Sequence, residues 1–127
     1  MKTILVDAVD AFVIEGEGIY QPVFELLEKY PNKKILLTGA NDEQMIQFGL
    51  VNMPYEVFTL KHNPEKTDPE YFRTLLKHFD FNPEDVVYFE HNPAAVESAR
   101  TVGITSYHYD DTTKDLVGLK KFLDENL

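Results

Sequence analysis

Five short runs of apolar residues recur along the chain, separated by longer stretches with the pattern of amphipathic helices. The runs are Thr3–Val6, Ile35–Thr38, Tyr55–Leu60, Val86–Phe89 and Thr105–Tyr109. The first, second and fourth runs are almost unbroken in apolar character, which is typical of strands buried on both faces of a parallel sheet. The pattern therefore predicts five parallel β-strands.

Each stretch between the runs, and the stretch after the last run, carries a signal for the start of a helix. The predicted helices begin at Gln21-Pro22, Asn41-Asp42-Glu43, Asp68-Pro69, Asn92-Pro93 and Asp111-Thr112. Asp68 suits an N-cap, and Gly103 suits a left-handed residue that ends the fourth helix. Alternation of strands and helices predicts a three-layer α/β/α Rossmann-like sandwich with right-handed crossovers. Residues 14–18 predict a small turn or flap after the first strand.

Length and composition narrow the possible functions. The five strand–helix units occupy all 127 residues, so we expect a single domain over residues 1–127. No apolar run is long enough to cross a membrane, and we expect no signal peptide in the first residues, where the apolar run is short and soon reaches Asp7. The absence of cysteine excludes disulfides, thiolate metal sites and a cysteine nucleophile, and it fits a cytoplasmic protein. A net charge of −10 disfavours nucleic acid and anionic membrane as partners.

The candidate chemistry lies directly after the apolar runs, because ligands of such sheets bind beyond the carboxyl ends of the strands. The residues at these positions are Asp7 and Asp10, Thr38 to Asn41, Lys61 to Lys66, Glu90 to Asn92, and Asp110 with Asp111. Carboxylates accompanied by a threonine and a lysine are suited to holding a divalent cation and a phosphate.

The order of these motifs resembles the haloacid dehalogenase-like (HAD) phosphohydrolase superfamily along nearly the whole chain. The matching segments are the strand that leads into Asp7-Ala8-Val9-Asp10, the strand end Leu37-Thr38-Gly39, the segment Lys66-Thr67-Asp68-Pro69, and Val87 to Pro93 followed by Val96, Ala99, Gly103 and Ile104. The large cap domains that the family inserts after its first or second motif are missing. The resemblance therefore implies a capless HAD-like domain.

The resemblance also assigns roles to individual residues. It implies that Asp7 is a nucleophile that forms an aspartyl-phosphate, that Thr38 and Gly39 bind the phosphoryl group, and that Lys66 neutralises both. It further implies Mg²⁺, held by Asp7, the Val9 carbonyl and Glu90 or His91. The alternatives are a strand-end aspartate that caps a turn, a threonine that bonds its own helix cap, and surface lysines, with Lys61 competing with Lys66.

Two positions depart from the family pattern. Val9 stands where most phosphatases of the family have an aspartate that protonates the leaving oxygen and later activates water. Asp10 could take over this role only if the chain bends after Asp7, and otherwise is a solvent-facing turn residue. His91 and Ala95 replace acidic metal ligands. Neutral imidazole is a poor ligand for Mg²⁺ but suits a softer ion such as Zn²⁺, Ni²⁺ or Co²⁺, so we expect weak Mg²⁺ binding or tighter binding of a softer ion.

Two functions follow from the sequence. The first is a capless phosphohydrolase with weakened Mg²⁺-dependent activity, acting on accessible phosphate groups or covered by a partner subunit. The second is a catalytically degenerate binding or protein-interaction module. Both place the first strand at the centre of the sheet, with Asp7, Thr38, Lys66 and Glu90 or His91 at one end of it. Both also predict a raised pKa for Asp7 unless Lys66 reaches it.

Overall fold

The computed structural model describes residues 1–127, and the predicted strands and helices are all present. The strands are β1 (Thr3–Asp7), β2 (Val13–Ile14), β3 (Gly18–Ile19), β4 (Lys34–Thr38), β5 (Glu56–Thr59), β6 (Val86–Glu90) and β7 (Thr105–His108). The helices are α1 (Gln21–Leu27), α2 (Asp42–Gln47), α3 (Pro69–Phe79), α4 (Pro93–Thr101) and α5 (Leu116–Asn126), with a 3₁₀ turn at Pro83–Asp85.

Five of the strands form one parallel sheet in the order β5-β4-β1-β6-β7. The prediction of a central first strand is thereby confirmed, with β4 and β5 on one side of β1 and β6 and β7 on the other. Every residue of β1, β4 and β6 is buried, as their unbroken apolar sequences predict. The carboxyl ends of these three strands meet at the middle of one edge, which positions the site.

Apolar side chains pack on both faces of the sheet and make a three-layer sandwich. Alternate residues of β1 point to opposite faces, so Ile4 and Val6 join one core while Leu5 joins the other. Helices α1 and α5 cover the first face with Leu27 and Leu119, among other residues. Helices α3 and α4 cover the second face. No helix of the chain has both the length and the apolar character needed to cross a membrane.

The helix starts follow local capping, and one of them differs from the prediction. The side chains of Asn41, Asp68 and Asn92 accept hydrogen bonds from the first turns of α2, α3 and α4. The last helix, however, begins at Leu116 and not at Asp111. The N-cap is Asp115, whose carboxylate accepts from the Gly118 N–H, and the residues before it form turns.

The predicted flap is a two-stranded hairpin. Strands β2 and β3 pair antiparallel, with Val13 opposite Ile19. Between β1 and this hairpin the chain turns sharply, and Asp10 has a φ of +73°. A positive φ is uncommon for a residue other than glycine, so this turn holds Asp10 in a direction that an extended chain would not give it.

Candidate functional site

A cleft of about 210 Å³ opens at the carboxyl ends of the central strands. Seven of the predicted site residues line it, namely Asp7, Val9, Asp10, Thr38, Gly39, Lys66 and His91. The eighth, Glu90, is fully buried beneath the cleft. The competing Lys61 lies outside the cleft, where its exposed side chain forms an ion pair with Asp42 at 3.1 Å. The predicted convergence of Asp7 and Lys66 is confirmed, whereas their chemical roles remain predictions.

Lys66 bridges two buried carboxylates. Its Nζ atom donates to Oδ1 of Asp7 at 2.8 Å and to Oε1 of Glu90 at 2.6 Å. The exposed fraction of the side chain is 1% for Asp7, 0% for Glu90 and 16% for Lys66. Burial alone would lower the pKa of Lys66, but the two carboxylates outweigh it and raise that pKa above its ordinary value. Lys66 is therefore a permanent cation at the base of the cleft.

Hydrogen-bond donors surround the buried carboxylate of Glu90 and favour its anionic form. Oε1 accepts from Lys66 and from the Tyr88 hydroxyl, and Oε2 accepts from the Asn92 N–H at 3.0 Å. Burial by itself would raise the pKa of Glu90, but Lys66 and the hydrogen bond from His91 hold it well below its usual range. Glu90 thus provides a fixed negative charge below the cleft and presents no free oxygen to it.

His91 lies inside the site, next to Asp7. Its backbone N–H donates to Oδ2 of Asp7 at 3.1 Å, and its ring Nδ1 pairs with the same oxygen. Nδ1 is also 3.2 Å from Oε2 of Glu90, and Nε2 is 3.7 Å from Oδ2 of Asp10. The hydrogen bond to Asp7, with the one to Glu90, raises the pKa of His91 to about 10, against the effect of burial. These contacts therefore favour the protonated form of the His91 ring beside Asp7.

The acidity of Asp7 differs from the expectation. Burial, together with the charge of Glu90, raises the pKa of Asp7 above its ordinary value, although Lys66 and His91 both act to lower it. We expected that contact with Lys66 would prevent a raised pKa. That expectation is wrong because Asp7 is almost completely buried and because Lys66 is shared with Glu90, a second buried carboxylate.

Thr38 is positioned to donate a hydrogen bond into the cleft. Its Oγ1 accepts from the Ala40 N–H at 3.1 Å, and the residue lines the cleft, so its hydroxyl proton is available to a ligand bound there. Its backbone is fixed by the Tyr71 hydroxyl, which donates to the Thr38 carbonyl at 2.8 Å. At Gly39 a Cβ atom would come within 3.2 Å of Oε2 of Glu65, so a side chain would crowd the cleft wall.

Val9 and Asp10, the two positions of the first motif considered for the general acid, both line the cleft. Val9 cannot exchange a proton, and no protein donor reaches its carbonyl. The chain does bend after Asp7, as the role of Asp10 as an acid would require. The positive φ of Asp10 accompanies this turn, and its half-exposed side chain lies in the cleft beside His91. Whether Asp10 acts as a general acid stays a prediction.

Whether the site can hold a metal ion depends on which carboxylate oxygens are not already hydrogen-bonded. Ligand atoms of Asp7, Glu90 and His91 lie within 4.8 Å of one another, so a metal cluster is geometrically possible. Mg²⁺, however, requires several oxygen ligands in near-octahedral geometry. Here the Asp7 and Glu90 oxygens already accept hydrogen bonds and His91 offers nitrogen. The donor set does not fit Mg²⁺ as it stands, since the ion would have to displace the His91 ring.

Several residues of the site were not singled out in the sequence. His62, Gln44 and Glu65 form the opposite wall, where the His62 ring bonds to both of the other side chains. His62 and Glu65 lie in the predicted strand-end segment, but nothing in their spacing marks them. Tyr88 could have been found, because it is two residues before Glu90 on the same face of β6.

Solved structures share this fold. An aspartate-to-alanine mutant of a HAD family enzyme from Bacteroides thetaiotaomicron, in complex with magnesium and inorganic phosphate, has a TM-score of 0.66 at 12% identity over 94% of this chain and 98% of that chain. An uncharacterised protein from Corynebacterium glutamicum has a TM-score of 0.65 at 18% identity, covering 98% and 96%. The core domain of a candidate phosphoglycolate phosphatase from Streptococcus pneumoniae has 0.63 at 16%, covering 97% and 95%.

These similarities establish the class of fold. The sequence matches no protein-family model and no curated protein sequence. The structural neighbours nevertheless span nearly the full length of this chain and of their own. The chain therefore has the fold of HAD-like proteins, with the five-stranded parallel sheet that the sequence predicted.

Proposed function

We propose that the chain is a HAD-like hydrolase whose cleft binds and transfers a phosphoryl group, with Asp7 as the nucleophile. The observation that carries this proposal is the meeting of Asp7, Lys66 and Thr38 at one end of the sheet, with Lys66 2.8 Å from Asp7. A carboxylate, a fixed cation and a free hydroxyl donor are the groups needed to attack phosphorus and to stabilise the charge on its oxygens.

The reaction would proceed in two displacements. A carboxylate oxygen of Asp7 forms a bond to phosphorus while the bond from phosphorus to the ester oxygen breaks. The leaving oxygen departs with the electron pair and takes up a proton, from solvent or from Asp10. Water then attacks the aspartyl-phosphate, releasing inorganic phosphate and regenerating Asp7. Lys66 would hold the phosphoryl oxygens next to the nucleophile, and Thr38 would donate its hydroxyl proton to one of them.

The site has few groups that could protonate the leaving oxygen. Val9 cannot supply a proton to the departing alcohol, and Asp10 is the one carboxyl group of the turn that could. We therefore propose low turnover, confined mainly to phosphate esters with good leaving groups. Mg²⁺ would bind weakly, and a softer ion such as Ni²⁺ would bind more tightly by replacing the proton on a ring nitrogen of His91.

The proposed substrate is a phosphorylated compound that can enter an open cleft. A covering partner subunit would restrict it further, and the acidic surface argues against nucleic acid and anionic membrane. We also propose a cytoplasmic setting, which the absence of cysteine supports.

The test is to trap the intermediate. The protein is incubated with an aryl phosphate and quenched in acid, and a phosphorylated Asp7 peptide is sought by mass spectrometry alongside turnover measurements. Asp7→Asn should abolish both signals, and Lys61→Met, which changes a lysine outside the cleft, should leave both unchanged. Turnover that persists in Asp7→Asn would contradict the assignment of the nucleophile.

A second function is favoured by a specific observation. Both oxygens of Asp7 accept hydrogen bonds, from Lys66 and from His91, so the nucleophile is not free in the resting protein. Together with Val9, this favours a module that binds a phosphorylated partner without hydrolysing it. Phosphate binding in the cleft without any turnover would support this second function over the first.

A further inference from the structure

We infer that the cleft binds a phosphate group without a metal ion, because His91 fills the place beside Asp7 that a divalent cation would take. This inference rests on the proposed function, since it specifies how the phosphoryl site is neutralised. It concerns the residues that contact the ligand and is independent of whether turnover follows.

The first support is the hydrogen bonding of Asp7. Oδ1 accepts from Lys66, and Oδ2 accepts from the backbone N–H of His91 at 3.1 Å and from its ring. Both oxygens of this carboxylate, which is 1% exposed, therefore already have hydrogen-bond partners within the protein. A metal ion placed on Oδ2 would have to break the contact with the His91 ring.

The second support is the pairing of charges below the cleft. The two buried carboxylates, Asp7 and Glu90, face two nitrogen donors, Lys66 and His91, and each donor contacts both carboxylates. The remaining acceptor capacity of Glu90 is taken by Tyr88 and Asn92. Both carboxylates are therefore paired within the protein, and His91 supplies a nitrogen donor where the family pattern has an acidic metal ligand.

The third support is the fixed orientation of His91. Its backbone carbonyl accepts from Nε2 of His108 at 2.9 Å, while its backbone N–H is held by Asp7. With Nδ1 turned to Asp7 and Glu90, Nε2 is the ring nitrogen left for the cleft, which His91 lines. Asp10 at 3.7 Å and the nearby Asp111 are the acidic groups that compete for Nε2. A phosphate oxygen could replace them as acceptor, alongside Lys66 and Thr38.

The experiment measures binding of inorganic phosphate with and without a divalent ion. Phosphate is titrated by calorimetry into the protein in EDTA, and then into the protein in excess Mg²⁺. We expect the same affinity in both conditions. Binding that appears only with Mg²⁺ would overturn the inference while leaving the proposed phosphoryl site standing.

Variants separate the inference from the proposed function. His91→Asp restores a carboxylate at this position, so phosphate affinity should fall by about tenfold or more in EDTA and return with Mg²⁺, where tenfold corresponds to about 1.4 kcal/mol. Equal phosphate binding by His91→Asp in both conditions would overturn the role of His91. Circular dichroism of each variant checks that it is folded.

Lys66→Met should lose phosphate binding in both conditions, whereas Lys61→Met should keep it. If the wild-type protein binds no phosphate in either condition, the proposed function and the inference both fail. If Lys66→Met binds as the wild type does, the ligand is not in this cleft. Phosphate binding that appears only with Mg²⁺ is a different outcome, because it would overturn the inference and leave the proposed function standing.

Discussion

Nζ of Lys66 lies 2.8 Å from Oδ1 of Asp7, and the same ammonium group reaches Glu90 behind it. One ammonium group therefore forms ion pairs with two carboxylates that are almost completely buried, and the His91 ring contacts the same two carboxylates. Two uncompensated anions so close together in a poorly solvated site would repel strongly, and one of them would take up a proton. The lysine is consequently a structural part of the site as well as a candidate for phosphate binding.

The first prediction concerns this lysine and the free energy of unfolding. Lys66→Met keeps most of the side-chain volume but leaves Asp7 and Glu90 without their shared cation. We expect a loss of about 3–5 kcal/mol at pH 7, the scale for breaking a buried ion pair by removing one partner. The loss should shrink at acid pH, because protonated carboxyl groups no longer need the cation. Urea denaturation at several pH values measures both effects.

The matched control is Lys61→Met. Lys61 forms an ion pair with Asp42 at the surface, where its side chain is 57% exposed. Such pairs contribute about 0–1 kcal/mol, so this variant should unfold almost as the wild type does. Equal destabilisation by the two variants would contradict the special position of Lys66.

The second prediction concerns metal ions. Mg²⁺ should bind weakly, and Ni²⁺ more tightly, because the position of a nitrogen ligand beside Asp7 favours the softer ion. Calorimetry with each ion measures this difference, and His91→Ala should remove the preference for Ni²⁺. A tight Mg²⁺ site, with a micromolar dissociation constant, that survives in His91→Ala would show that the fourth motif retains its metal function.

Much of the architecture could be predicted from the sequence because its determinants are local. Apolar runs such as Val86–Phe89 identify strands, and caps such as Asp68 identify helix starts. Right-handed crossovers then fix which strand ends meet. The start of α5 was placed too early because Asp111 and Asp115 both have the sequence properties of an N-cap. Only the tertiary path of the chain after β7 decides between them.

The electrostatics of the site could be predicted only in part. The sequence places Lys66 and Asp7 at the same edge, but the sharing of Lys66 with Glu90 depends on side-chain directions that the pattern does not give. The sequence likewise does not show that the His91 ring contacts Asp7 and Glu90. In an extended strand, side chains alternate between the two faces, and the left-handed turn at Asp10 interrupts this alternation. The direction of the Asp10 side chain therefore cannot be predicted from the sequence pattern.

The third prediction concerns proton transfer to the leaving group. If Val9 has removed a general acid, Val9→Asp should raise turnover by about 10²-fold, the typical contribution of such a group. The gain should be larger for alkyl than for aryl phosphates, because a poor leaving group needs the proton more. Val9→Asn is the matched control, since it has similar shape to aspartate and cannot donate a proton from a carboxyl group.

The result for Asp10 decides how this prediction is interpreted. Asp10→Asn should change wild-type turnover little if no residue performs the acid step. Fast wild-type hydrolysis of an alkyl phosphate that is abolished in Asp10→Asn would instead show that Asp10 has taken over the role from the neighbouring position. Steady-state kinetics with one alkyl and one aryl substrate distinguish the two cases.

The last prediction concerns the charge of His91 in the metal-free protein. Its contacts with Asp7 and Glu90 raise the pKa of His91 to about 10, compared with 6.5 for an ordinary histidine. The stabilisation from the charged ring is therefore fully present below about pH 6.5 and is lost as the pH rises through about 10. NMR of the ring nitrogens in EDTA should show both of them protonated at pH 8. Asp7→Asn removes the main acceptor and should move the titration towards neutral pH. A wild-type His91 that is already neutral at pH 8, with the same titration in Asp7→Asn, would mean that the ring does not interact with Asp7 as the structure describes.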